Sequence, residues 1–158
     1  MNNNDVIRRL RFALNLSDLE VQRLCGLVGV SVTPDALLGY FEREESFSHV
    51  LCPDAVLVAL LDGLVLHRRG PPAESSAARP RDDLFDNNLI LKRLRIALEM
   101  KEPDMLQVLR LGGMDISPSE LSSLFRARGH KHYRPCMDQL LRNFLKGLTI
   151  RLRGVGGD

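Results

Sequence analysis

A shift of 84 positions lays the chain on itself without a gap, so whatever it folds into must accommodate the same unit twice. Asn3, Asn4, Arg9, Leu10, Arg11, Ala13 and Leu14 meet Asn87, Asn88, Arg93, Leu94, Arg95, Ala97 and Leu98. Leu27, Gly29, Pro34, Leu37 and Phe41 meet Leu111, Gly113, Pro118, Leu121 and Phe125. Cys52, Asp54, Leu57, Leu61, Gly63, Leu64, Arg69 and Gly70 meet Cys136, Asp138, Leu141, Leu145, Gly147, Leu148, Arg153 and Gly154. These are 20 identities over 68 aligned positions, with Cys, Gly, Pro and Phe matched in a single register. Repetition of that kind takes precedence over any finer assignment. The units are residues 1–70 and 87–154, joined by a linker over 71–86 (PPAESSAARPRDDLFD) whose Pro, Ala, Ser and charge suit no packed element. Leu84 and Phe85 are placed to tack the linker's end onto a neighbouring surface, and residues 155–158 read as a frayed tail.

Each unit reads as four helices, and the fold class is all-α. The first, over Asp5–Asn15 and Leu89–Glu99, sets Val6, Ile7, Leu10, Ala13 and Leu14 on one face at helical spacing. The second starts at Ser17, with Glu20 completing a capping box, and stops near Gly29 or Gly112-Gly113. The third opens on Thr33-Pro34 and Ser117-Pro118, a capping hydroxyl followed by proline at the first helical position. The fourth runs from about Pro53 or Met137 to Arg69 or Arg153. Gly63 and Gly147 fall inside it, where glycine costs about 1 kcal/mol relative to alanine. Their presence in both copies predicts a close helix crossing.

Charge distinguishes the copies. Residues 1–70 carry seven basic and nine acidic side chains, residues 87–158 thirteen and seven. On the second copy's last helix Arg142, Lys146 and Arg153 line up opposite the apolar face; the first copy has Val58, Asp62 and Arg69 there. The first copy's helix is apolar almost all round, which predicts that it packs inside the molecule or at a dimer interface, while its counterpart shows a basic stripe to water.

Few residues suggest chemistry. Arg9, Arg11, Arg93 and Arg95 flank the apolar stripes and suit either phosphate contact or structural ion pairs, with Asp54 and Asp138 as the expected partners. His130, His132 and Cys136 lie close in sequence but match no standard zinc spacing, and no orienting group is evident for a Cys/His nucleophile. The three cysteines show no paired spacing and read as buried thiols of a reduced, cytoplasmic chain. No catalytic, cofactor-binding or metal residue is assigned. Arg126, Arg128, Lys131 and Arg134, with Arg142, Lys146 and Arg153, form the candidate basic surface. The third helix follows a turn, as in helix-turn-helix proteins, but Ser119, Ser122 and Ser123 offer little base reading. The longest apolar run, Ala55 to Leu61, is far too short to cross a bilayer, and the N-terminus carries no signal pattern.

Set side by side, the Asn-Asn…Arg-Leu-Arg-x-Ala-Leu stretches and the Cys-x-Asp-x-x-Leu-x-x-x-Leu-x-Gly-Leu stretches resemble the YehS-like family of small bacterial proteins, a family of unknown function built from this duplicated unit. The resemblance implies a bacterial cytoplasmic protein and an aromatic residue three positions before each cysteine, a place filled by Tyr133 and, in the first copy, by His49 with Phe47 two residues earlier. It carries over no activity and no functional residues. The expected function is a non-enzymatic interaction module, recognising a protein or associating with itself; the alternative is nucleic-acid binding through the basic second copy.

Overall fold

The computed structural model describes residues 1–71 and 84–154; most of the linker and the whole tail lie outside the described residues. The first copy supplies α1 (Asn3–Ala13), α2 (Asp18–Leu27), α3 (Pro34–Phe41) and α4 (Asp54–Arg69). The second supplies α5 (Asn87–Ala97), α6 (Glu102–Leu111), α7 (Pro118–Ser123) and α8 (Asp138–Arg153). Among the described residues there is no strand, and no helix is long and apolar enough to cross a membrane.

The local signals explain most of the boundaries. Ser17 and Ser117 each accept from the amide three residues on, and Glu20 and Glu120 reach back to close the capping boxes. Thr33 caps α3 ahead of Pro34. The first helices begin two residues earlier than expected, because Asn2 and Asp86 are the caps: their side chains accept from Asp5 and Leu89. Gly70 and Gly154 take positive φ where α4 and α8 end.

The two tandem units are interlocked. α4 lies between α2 of its own copy and α5 of the other, while α8 lies between α6 of its own copy and α1 of the other. The amine of Met1 donates to Asp138 at the start of α8, and Arg153 at its end stacks on Phe12 of α1, so α1 and α8 run parallel. Asp62–Arg93 and Arg69–Glu99 show the same of α4 and α5. All four N-termini gather at one end, since α1 begins beside Asp54 as well as Asp138. The acids there, Asp5, Asp54 and Asp138, complement the positive ends of the helix dipoles. Side chains from both copies form one core, including Ile7, Leu10, Leu57, Leu61, Leu91, Leu94, Phe144 and Leu145.

α4 packs inside the molecule, as its apolar surface predicts, but α8 does so equally. α4 is no more deeply buried than α8: Leu57, Leu60, Leu61, Gly63 and Leu64 are buried, and so are their counterparts Leu141, Phe144, Leu145, Gly147 and Leu148. The additional apolar residues of α4, Val58 and Val65, are only half-buried. Each helix is sandwiched on two sides by the same pair of positions in the repeat, so burial follows the repeat and not the composition of the remaining face.

Gly63 and Gly147 mark close helix crossings. A Cβ on Gly63 would stand 2.1 Å from the Leu24 carbonyl oxygen of α2. One on Gly147 would stand 1.8 Å from the Val108 carbonyl oxygen of α6.

Candidate functional site

The paired asparagines that open each repeat hold it together. Asn4 is buried; its amide donates to the carbonyls of Tyr40 and Val50 at 3.1 and 2.8 Å, and its oxygen accepts from the Cys52 amide at 2.9 Å. Asn88 repeats the pattern with Leu124, Arg134 and Cys136 at 2.9, 2.9 and 2.7 Å. Asn3 and Asn87 each donate to the carbonyl of the matched cysteine and to the aspartate two residues later. Sequence comparison of the two copies exposed these residues as matched but gave no reason for them. The reason is that the α3–α4 and α7–α8 loops have no regular hydrogen-bonding partner and borrow one from the start of a helix.

That arrangement corrects the expected ion pairs. Asp54 and Asp138 are taken by the asparagine amides, not by Arg9, Arg11, Arg93 or Arg95, because the arginines lie at least six residues further along the helix, about 9 Å from that end. Hydrogen bonds from Asn87 and from the N-terminal amine hold the Asp138 carboxyl below its usual range. Arg11 pairs with Asp18 at 3.0 Å and covers the Phe41 ring. Arg95 donates to the Met100 carbonyl and covers Phe125. These arginines finish the core as amphipathic lids.

The three thiols are buried and free. Burial pushes Cys25 up to about 11 and Cys52 and Cys136 up to about 12, from 9.0. A thiol raised in the folded state stabilises it fully below the unfolded value and loses that contribution as pH climbs towards the folded one. Stability is therefore expected to decline from about pH 9 upward, and a thiol reagent at pH 8 should label all three cysteines only at the rate of global unfolding. Rapid labelling of native protein would contradict this placement. His130 and His132 are exposed with ring centroids 5.5 Å apart, whereas Cys136 points its thiol at the Met137 carbonyl. Among the described residues no three His, Cys, Asp or Glu side chains are grouped to hold a metal ion.

The candidate basic surface divides in two. Arg126, Arg128, Lys131 and Arg134 belong to the loop before α8, where Arg128 pairs with Asp86 and stacks on Tyr133, and Arg134 pairs with Glu120. A cleft of about 430 Å³ opens beside this loop, lined by Leu84, Leu89, Leu124 and Phe125 together with Arg126, Arg128 and Asp86. On α8, Arg153 instead stacks on Phe12 of α1, Arg142 acts on the charge of Arg9, and Lys146 holds the repeat position of Asp62.

Comparing the two seams is decisive for charge. Along α4 and α5, Arg93 meets Asp62 at 2.9 Å and Arg69 meets Glu99. At the matching positions of α1 and α8 stand Arg9, Lys146, Arg153 and Asn15, so both acids of the first seam are absent from the second. The Arg9 Nε is buried with no acceptor among the described residues. Burial, then the neighbouring Arg8 cation, with Arg142 further off, lower its affinity for its proton against the opposing pull of Asp5. Asp5 pairs with Arg8 at 3.0 Å. Lys146 and Arg153 are exposed and Arg142 half-buried, as the stripe on α8 anticipated.

A duplicated all-helical unit with a paired-asparagine clasp defines the class. Residues 3–70 and 87–154 both match the DUF1456 family, described as proteins of unknown function, and the chain belongs to that family. It is similar to the uncharacterized protein YehS of Escherichia coli (strain K12), at 34% identity over 151 residues covering 96% of each chain. No solved structure matches the chain.

Proposed function

We propose that this chain is a non-enzymatic helical module that binds the sugar-phosphate backbone of nucleic acid along the seam between α1 and α8. The observation that carries the reading is the loss of both acids from that seam, while the equivalent seam keeps its ion pairs. Cations that lack an acid inside the protein are available to an external anion. Arg142 to Arg153 spans eleven residues of helix, about 16 Å, or about five steps of a B-form strand. The absence of Trp and the low aromatic content favour backbone contact over base stacking.

The test is binding of purified, nucleic-acid-free protein to short single-stranded RNA and double-stranded DNA, with Arg142→Glu, Lys146→Glu and Arg153→Glu combined as the variant. Four phosphate contacts would weaken binding by roughly 100-fold between 50 and 200 mM salt, and the variant should abolish it with helicity unchanged. No binding at low salt, or binding indifferent to the reversal, would overturn the proposal and turn attention to an acidic protein surface.

A single substitution separates this from damage to the fold. Lys146→Asp places an acid opposite Arg9, as Asp62 stands opposite Arg93. It is expected to raise stability by about 0.5–1 kcal/mol and to weaken nucleic-acid binding. A loss of both would mean that Arg9 is not the group awaiting a counter-charge.

A further inference from the structure

The loops before α4 and α8 occupy matching places at the same end of the molecule, yet carry opposite chemistry. Residues 42–51 include Glu42, Glu44 and Glu45, none of which pairs with a cation among the described residues, and the fully exposed Phe47. Leu38 of α3 and Leu51 of the same loop are also 57% and 69% exposed. At the equivalent places the second loop has Arg126, Arg128 and, opposite Phe47, Lys131. The second loop also borders the cleft of about 430 Å³, whose lining combines Leu84, Leu89, Leu124 and Phe125 with Arg126 and Arg128. One loop thus carries an exposed aromatic side chain and three acids against the single cation Arg43, and the other borders a cleft lined by Lys92, Arg126 and Arg128 against the single acid Asp86.

We infer that the acidic loop of one molecule docks on the basic loop of a second copy of this chain, with Phe47 entering the cleft between Leu124, Phe125 and Arg126. Because both loops sit at one end, a two-fold axis across that end brings the acidic loop of each molecule onto the basic loop of the other. The two contacts are identical and the assembly closes as a dimer. Pairing like loops would oppose like charges, so the charge pattern also fixes the register. An aromatic anchor in an apolar pocket with charged edges is the arrangement that concentrates binding energy at protein interfaces. This inference uses the end of the bundle and is independent of the seam assigned to nucleic acid.

Sedimentation of the full chain over a concentration series tests it. The wild type should self-associate reversibly, more weakly as salt rises, and Phe47→Ser should weaken the dimer by ~10-fold or more. Glu44→Arg with Glu45→Arg makes both loops basic; Arg126→Glu, Arg128→Glu and Lys131→Glu together make both acidic. Each variant alone should be monomeric, and an equimolar mixture should recover a heterodimer, because every acidic loop again finds a basic one. All five positions are exposed, and circular dichroism checks that the fold is kept. A wild type that stays monomeric at high concentration and low salt overturns the proposal. So does a dimer that survives both reversals, or a mixture that fails to associate.

Discussion

Gly147→Ala is expected to destabilise the protein by roughly 3 kcal/mol or more, lowering the thermal midpoint by ~10 °C. The added methyl group would stand 1.8 Å from the Val108 carbonyl oxygen and 2.9 Å from the Gly112 nitrogen, both backbone atoms. No rotamer change can relieve that overlap, so α6 and α8 must separate along their whole contact and loosen the packing around Phe144 and Leu148. Gly63→Ala should behave alike against the Leu24 carbonyl. Gly26 in α2 is the internal control: nothing lies within 4 Å of its added Cβ. There the helix-propensity gain of about 1 kcal/mol acts unopposed, and Gly26→Ala should stabilise. Differential scanning calorimetry of the three variants reads both signs; equal effects at Gly26 and Gly147 would refute the crossing.

Asn4→Ala should cost about 3 kcal/mol, since it strips the Tyr40 and Val50 carbonyls and the Cys52 amide of a buried partner together. Asn4→Asp should be at least as damaging. A carboxylate can still accept from Cys52, but it replaces the amide that donates to two carbonyl oxygens with an acceptor facing them. Asn88 variants should follow the same order, reduced because Asn88 is half-buried where Asn4 is buried. Asn3→Ala, whose bonds lie nearer solvent, should cost less than either. Urea unfolding of the series checks the ranking, and an Asp variant as stable as the wild type would show that the clasp contributes little.

What the sequence made legible was whatever the repeat or a local rule encodes. The capping residues Ser17, Thr33 and Ser117 and the crossings at Gly63 and Gly147 were readable because each depends on near neighbours or on glycine's lack of a side chain. The basic stripe on α8 was readable from its spacing. The exchange of first helices between copies was not, since an apolar stripe on α1 specifies that it is buried and not which of two homologous grooves receives it. The partners of Asp54 and Asp138 were misread for a related reason: charge suggested arginine, whereas position along the helix axis placed an asparagine amide there. The seam asymmetry needed the structure, because only the cross-copy packing shows that Arg93 meets Asp62 and so makes Lys146, at the repeat position of Asp62, matter to α1.

That cross-copy packing has a consequence for how such a chain can diversify. Two separate molecules of a single unit, joined in this way, would have to present the same face twice, and any cation gained on one side would appear on both. Covalent fusion removes that constraint. Each half can then accept substitutions that its twin does not share, so one flank keeps a neutralised, purely cohesive contact while the other accumulates unbalanced positive charge. The duplicated architecture therefore allows a specialised surface to arise while an unaltered copy of the same contact still anchors the fold.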